Sequence, residues 1–150
     1  MSGWPRLFDV NILVPLIWPH HLGHDSAQHW FASVKDDGWA TCPITQLGCA
    51  RVVASFAVSS GAMTVQSAVR SLAEILGEGH HVFWPDDLAL SERPFAATLP
   101  YLQGPGQLTD RYLLALAAAH GGTFATFDRS VGSGLPASSE LLNHVEIVAR

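Results

Sequence analysis

Three aspartates carry the strongest chemical signal in the sequence. Asp9 closes a short apolar run that begins at Arg6, Asp128 follows the apolar run Thr123 to Phe127, and Asp110 stands at the start of an apolar helical stretch reaching His120. Taken singly, an aspartate after a strand is most often a turn or cap residue, and an acid at a helix start is favoured by the helix dipole. Brought together, three carboxylates repel one another unless a cation or protons compensate. A hard divalent ion is the economical solution. Mg²⁺ takes oxygen ligands, keeps several waters, and commonly uses one or two protein carboxylates plus substrate phosphate.

The elements around these acids decide whether they can meet. The run ending at Asp9 reads as a first strand, continued by a helix from Asn11 in which Pro15 is expected near the first turn. A second helix fits His24 to Val34, where Ala27, Trp30, Phe31 and Val34 recur at three- and four-residue spacings. Trp39 to Thr41 reads as a short strand. Pro43 then suits the first position of a helix with the stripe Ile44, Leu47, Ala50 and Val53, and Gln46 falls in its first turn. After the loop at Ser59-Ser60-Gly61, Thr64 caps an amphipathic helix running to Leu76, and His81 to Trp84 forms a parallel strand. The stretch from Glu92 to Gly106 reads as a mobile loop, Thr109 as the N-cap of the helix Asp110 to His120, and Val145 to Val148 as a last strand. Strand and helix alternating in this order argue for an α/β fold with a mainly parallel sheet covered by helices. Ligands bind outside the carboxyl ends of such strands, so Asp9 and Asp128 are expected at one rim.

Composition bounds the rest. At 150 residues, nearly half of them apolar, the chain has enough material for one domain with a good core, expected to span 1–150. Net charge is −5 and Lys35 is the one lysine among eight basic residues, so no broad basic surface advertises nucleic acid. RNA would have to be held by metal and a few arginines. Cys42 and Cys49, seven apart, fit neither a zinc pair nor a secreted disulfide framework. No apolar stretch reaches the ~20 residues of a membrane helix, and the opening MSGWPRLF lacks a signal peptide's pattern, so a cytoplasmic protein is expected.

Four segments then matter as local sequences: F-D-V-N-I-L at Phe8 to Leu13, T-C-P-I-T-Q-L-G at Thr41 to Gly48, L-T-D-R-Y-L-L-A-L-A at Leu108 to Ala117, and T-F-A-T-F-D-R at Thr123 to Arg129. In this order and spacing they resemble the PIN-domain ribonuclease toxins of VapC type, over nearly the whole chain. The resemblance implies a PIN-like three-layer α/β/α fold. It also implies an endoribonuclease that uses Mg²⁺, or Mn²⁺, to cleave RNA phosphodiesters, with metal ligands at Asp9, Asp110 and Asp128. Asn11 and Thr126 match flanking polar positions that shape the substrate-binding part of the site. Arg129, next to Asp128, is a candidate to steady a phosphate, with a solvated loop charge as the alternative. Products would be a 5′-phosphate and a 3′-hydroxyl, and either Asp9 or Asp110 could orient the attacking water.

One position departs from the family pattern. The second acidic residue, typically a glutamate in the helix after T-C-P-[IL]-T, falls on Gln46, whose amide accepts a hydrogen bond but brings no charge. It remains a candidate catalytic position, and its chemistry predicts weaker metal binding or one ion where two might sit. The alternative function is therefore a catalytically weakened PIN domain that binds RNA or protein. The resemblance further implies a cognate antitoxin and a homodimer, for which Leu72, Ile75 and Leu76 or Val52, Val53 and Phe56 offer apolar surface, unless they are ordinary core.

Other residues have plainer readings. His20, His21, His24 and His29 cluster without the companion ligands of a zinc site. Trp18, Trp30, Trp39 and Trp84 fit a core or a groove lining, and Asp86 and Asp87 fit helix capping after Pro85. A haloacid-dehalogenase fold would want an aspartate where Asn11 stands, and a receiver domain a lysine near the last strand.

Overall fold

The computed structural model describes residues 5–150, except the side chains of Phe56 and Ala57. The expectations placed on Met1 to Trp4 and on the Phe56 side chain lie outside the described residues. Five strands form one sheet: β1 (Arg6–Phe8), β2 (Trp39–Thr41), β3 (His81–Phe83), β4 (Thr123–Thr126) and β5 (Val145–Ile147). Their order is β3-β2-β1-β4-β5 and every pairing is parallel. The chain builds outward from β1 to one edge and then returns to its other side, so the order reverses between β1 and β4. Clefts form at such a reversal because the flanking connections leave on opposite faces of the sheet.

Among the described residues, seven helices accompany the sheet: α1 (Val10–Ile17), α2 (His24–Val34), α3 (Pro43–Ala54), α4 (Phe56–Ser59), α5 (Val65–Ile75), α6 (Arg93–Ala96) and α7 (Leu108–Ala119). Side chains alternate across each strand. Leu7, Ala40 and Phe124 share one face with Leu113, Leu116, Phe95 and Trp84, the α6 and α7 side. Phe8, Trp39 and Ala125 face Ile12, Phe31, Val53 and Leu72, the side of α1, α2, α3 and α5. The register agrees, since Leu7 pairs with Ala40 and Phe124 while Phe8 pairs with Ala125. On the second face Trp39 stacks on Phe8 at 4.9 Å between centroids and meets Phe31 edge-on at 5.0 Å. Burying such rings stabilises the fold by about 2–3 kcal/mol each.

Local chemistry explains the boundaries. Pro43 opens α3, and the Thr45 hydroxyl accepts the Cys42 amide at 3.0 Å. Thr64 caps α5 by accepting the Ser67 amide at 3.0 Å. Gly48 lets α3 approach α1, because a Cβ there would stand 2.7 Å from Val10 Cγ2.

Several sequence expectations need correction. Pro15 lies in the second turn of α1, not near the first, and has no N–H to offer the Asn11 carbonyl. It is buried there, so packing offsets the lost bond. The stretch 92–106 is not a plain loop: it contains α6 and two short 3₁₀ turns, Leu99–Tyr101 and Pro105–Gln107, with Phe95 in the core. Helix α7 starts at Leu108, which places Thr109 inside it. Asp86 and Asp87 cap no helix, because the chain after Pro85 runs without regular structure; Asp87 instead meets His120 Nε2 at 2.9 Å. Leu72, Ile75 and Val53, offered as interface candidates, are core residues. Among the described residues, no helix is long and apolar enough to cross a membrane.

Candidate active site

Asp9 follows β1, is the N-cap of α1 and is 7 % exposed. Its Oδ2 accepts the Thr126 hydroxyl at 2.7 Å. Thr126 ends β4, the strand beside β1, and is fully buried. Its oxygen also accepts the Asp128 amide at 3.0 Å and an N–H from Asn11 Nδ2 at 3.1 Å. Asn11 Oδ1 in turn accepts the Phe127 amide at 3.2 Å. The two adjacent strand tips are thus tied by a closed set of hydrogen bonds from α1 to the turn after β4. Thr126 and Asn11 act as positioning residues within it.

Asp110, in the first turn of α7, completes the group. Burial, reinforced by the charges of Asp9 and Asp128, raises its pKa to about 6. Asp9 is also pushed above the ordinary carboxylate range, chiefly by burial; the Thr126 hydroxyl and the Val10 and Asn11 amides oppose the shift. Asp128 goes the other way, because the Ser130 hydroxyl and amide bond its Oδ1 at 2.7 and 2.8 Å and favour the ionised form. Three acids from three separate elements therefore feel one another, in environments that spread their protonation.

Asp9 and Asp110 open onto a cleft of roughly 760 Å³ lined also by Val10, Asn11, His21, Phe127 and Arg150. A larger share of its wall than expected comes from residues with no motif. His21 accepts the Gly23 amide at its Nδ1, 2.8 Å, and the guanidinium of Arg150 lies 5.2 Å from the centroid of the Phe127 ring. Arg150 was legible by the rule that found the aspartates, since it follows β5, the neighbour of β4, as Asp128 follows β4. Four expected residues do not line this cleft: Asp128, Thr126, Arg129 and Gln46. Arg129 is exposed. Gln46 donates from Nε2 to Thr41 Oγ1 at 2.9 Å, and that hydroxyl also meets His81 Nε2 at 2.8 Å.

The donors near the acids are carboxylate, amide and hydroxyl oxygens, suited to a hard cation and not to a soft one. Among the described residues, no three His, Cys, Asp or Glu side chains converge as a ready cage. Both thiols are free and buried.

No family model matches the sequence. Individual relatives do. Ribonuclease VapC39 of Mycobacterium tuberculosis is 37 % identical over 131 residues, covering 87 % of this chain and 94 % of its own. Ribonuclease VapC44 of the same organism is 38 % identical over 125 residues, covering 83 % and 87 %, and Ribonuclease VapC29 is 37 % identical over 123 residues, covering 81 % and 84 %. With likeness of this extent, the four motifs in order, and the parallel sheet that gathers their acids at one rim, the chain belongs to the VapC ribonuclease family, the PIN-domain toxins its sequence resembles.

Proposed function

We propose that this protein is an endoribonuclease toxin that hydrolyses RNA phosphodiesters in the cleft beside Asp9 and Asp110, with Mg²⁺ or Mn²⁺ as cofactor. The observation that carries the reading is the meeting of Asp9 and Asp110 in one cleft, with Asp128 tied to Asp9 through Thr126, at the point where strand order reverses. Such a group repels anionic RNA unless a cation is added, and a divalent ion with a partial water shell is the species it suits. Asp9, Asp110 and Asp128 would hold it. When bound, the ion supplies charge neutralisation at the phosphoryl oxygens and a water of lowered pKa.

The side chains then divide the remaining work. Thr126 and Asn11 fix the Asp9 carboxylate and the turn bearing Asp128, so the acids need not reorganise during reaction. Asp9 or Asp110, both lining the cleft, would orient a water in line with the scissile P–O bond. In-line attack releases a 3′-hydroxyl and leaves a 5′-phosphate on the other fragment.

A cognate antitoxin that covers this cleft, a homodimeric assembly and a cytoplasmic location complete the proposal. Leu47, Val65 and Val69 are exposed apolar residues on α3 and α5, two helices packed together, and give a dimer a place to form. The test is cleavage of end-labelled structured RNAs by antitoxin-free protein with Mg²⁺, Mn²⁺ or EDTA. Cleavage that needs the ion and is lost in Asp9→Asn and Asp110→Asn supports the proposal; folded protein inactive in every condition, or variants as active as the parent, would reject it.

A further inference from the structure

RNA entering this cleft meets two carboxylates, so something besides a metal must hold the strand on either side of the reacting phosphate. Arg150 is the one lysine or arginine among the described residues lining the cleft. It makes no ion pair with Asp9, Asp110 or Asp128 among the described residues. Its guanidinium rests instead against the Phe127 ring, 5.2 Å from the centroid. That contact restrains the planar group while leaving its N–H edge unspent, the arrangement in which arginine binds phosphate oxygens well. Phe127 is itself fixed, because its amide donates to Asn11 Oδ1, part of the network that holds Asp9.

His21 lines the same cleft. Since Nδ1 accepts the Gly23 amide at 2.8 Å, that nitrogen carries no proton in this arrangement and the N–H lies on Nε2. A Cβ at Gly23 would come 3.3 Å from the same Nδ1, so the tight turn at Gly23 and the ring orientation belong together. The Trp18 ring meets the imidazole edge-on at 6.2 Å and steadies it further.

We propose that Arg150, braced by Phe127, and His21, braced by the Gly23 amide, form a clamp for the non-bridging phosphate oxygens of an RNA strand whose scissile bond lies at Asp9 and Asp110. This rests on the ribonuclease reading of the same cleft and adds the residues that bind the strand. The contacts are to backbone, so the clamp holds RNA of any sequence, with Arg150 as its permanent charge and His21 as a neutral donor.

The test combines binding and turnover on one short fluorescein-labelled single-stranded RNA. Anisotropy titrations at several salt concentrations, without divalent ion, compare the parent with Arg150→Gln, Arg150→Lys and His21→Ala. Each neutralised phosphate contributes about 0.7 to the slope of log K against log salt for a single strand. Arg150→Gln is expected to bind about tenfold more weakly and to lose about that slope. Arg150→Lys should keep the slope while losing part of the affinity, because a point charge lacks the guanidinium's fork. His21→Ala should weaken binding about threefold with the slope unchanged. In steady state with Mn²⁺, the Arg150→Gln loss should fall on KM, with kcat within about twofold of the parent. Arg150 is exposed and His21 half-buried, so thermal midpoints of all variants are measured to confirm folding. Parent affinity and slope retained in Arg150→Gln would overturn the clamp and leave the nuclease reading standing. Parent protein that neither binds nor cleaves RNA would overturn both.

Discussion

The hydroxyl of Thr126 donates to Asp9 Oδ2 at 2.7 Å and accepts the Asp128 amide at 3.0 Å, so one buried oxygen sets the positions of two acids on adjacent strand tips. Thr126→Val keeps the shape and removes these two bonds and the one from Asn11 Nδ2. A buried carboxylate losing a donor costs about 1–3 kcal/mol, which should appear as a lower urea midpoint. Cleavage should fall by more than tenfold, since Asp9 and the turn at Asp128 are both released. Thr126→Ser, which retains the hydroxyl, should recover most of the activity. A Val variant as active as the parent would remove Thr126 from the positioning network.

Asp110 gives the protein a pH dependence whose sign can be worked out. Its pKa is near the ordinary 3.8 when unfolded and about 6 when folded. Between these values the folded state binds the extra proton, so stability falls as pH rises from about 4 to about 6 and the penalty is complete above that. Without divalent ion, Asp110→Asn should therefore raise the thermal midpoint at pH 7 and change it little near pH 3.5. Mn²⁺ should stabilise the parent at pH 7 by relieving the same repulsion, and stabilise the Asn variant less. Thermal melts across pH, with and without Mn²⁺, check both signs. A midpoint for Asp110→Asn that is lower than the parent's at pH 7 would contradict the charge argument.

Gln46 stands where relatives of this type are expected to carry a glutamate, and its Nε2 is engaged by Thr41 Oγ1 at the tip of β2. Gln46→Glu should lower the Mn²⁺ concentration for half-maximal cleavage several-fold, because β2 adjoins β1 and a second anion there strengthens the field on the ion. It should also cost some stability, since the glutamate cannot donate to Thr41. Metal titrations of activity and paired melts separate the two effects. An unchanged metal requirement would make Gln46 a bracket for the β2 tip and nothing more.

What could be read from sequence followed from local rules. Short apolar runs ending at Asp9 and just before Asp128 pointed to two strands, and the parallel sheet that βαβ alternation demands brought their ends together. Thr64, Pro43 and the apolar spacing of His24 to Val34 placed three helices well. The errors share a cause, which is tertiary packing overriding a local signal. Pro15 is tolerated in mid-helix because the core covers it, and the proline- and glycine-rich stretch 92–106 is ordered by seating Phe95 under α7. Asp86 and Asp87 looked like caps, yet a capping residue needs a helix after it, and none follows. Arg150 and His21 belong to no motif; Arg150 could be reached from its place after the last strand, whereas only the fold shows that His21, beyond the end of α1, shares the cleft of Asp9.

Arg111 shows how the same helix that bears Asp110 is anchored. It is fully buried without a carboxylate partner among the described residues, donating instead to the Ser133 carbonyl at 3.0 Å and the Thr98 carbonyl at 3.4 Å, with Nε unpartnered. Burial lowers its pKa, which marks the cost of holding a charge there. Arg111→Ala should destabilise the protein by about 3 kcal/mol, since it opens a cavity and leaves two carbonyls without a donor. Arg111→Met fills most of the volume and removes the buried charge, so its loss should be no more than about 1 kcal/mol. Urea denaturation of the two variants separates packing from charge. If Met destabilises as much as Ala, the two carbonyl bonds outweigh the charge penalty, and Arg111 would be an electrostatic tie between the segments at Thr98 and Ser133; if Met is close to the parent, the side chain acts there mainly by its volume.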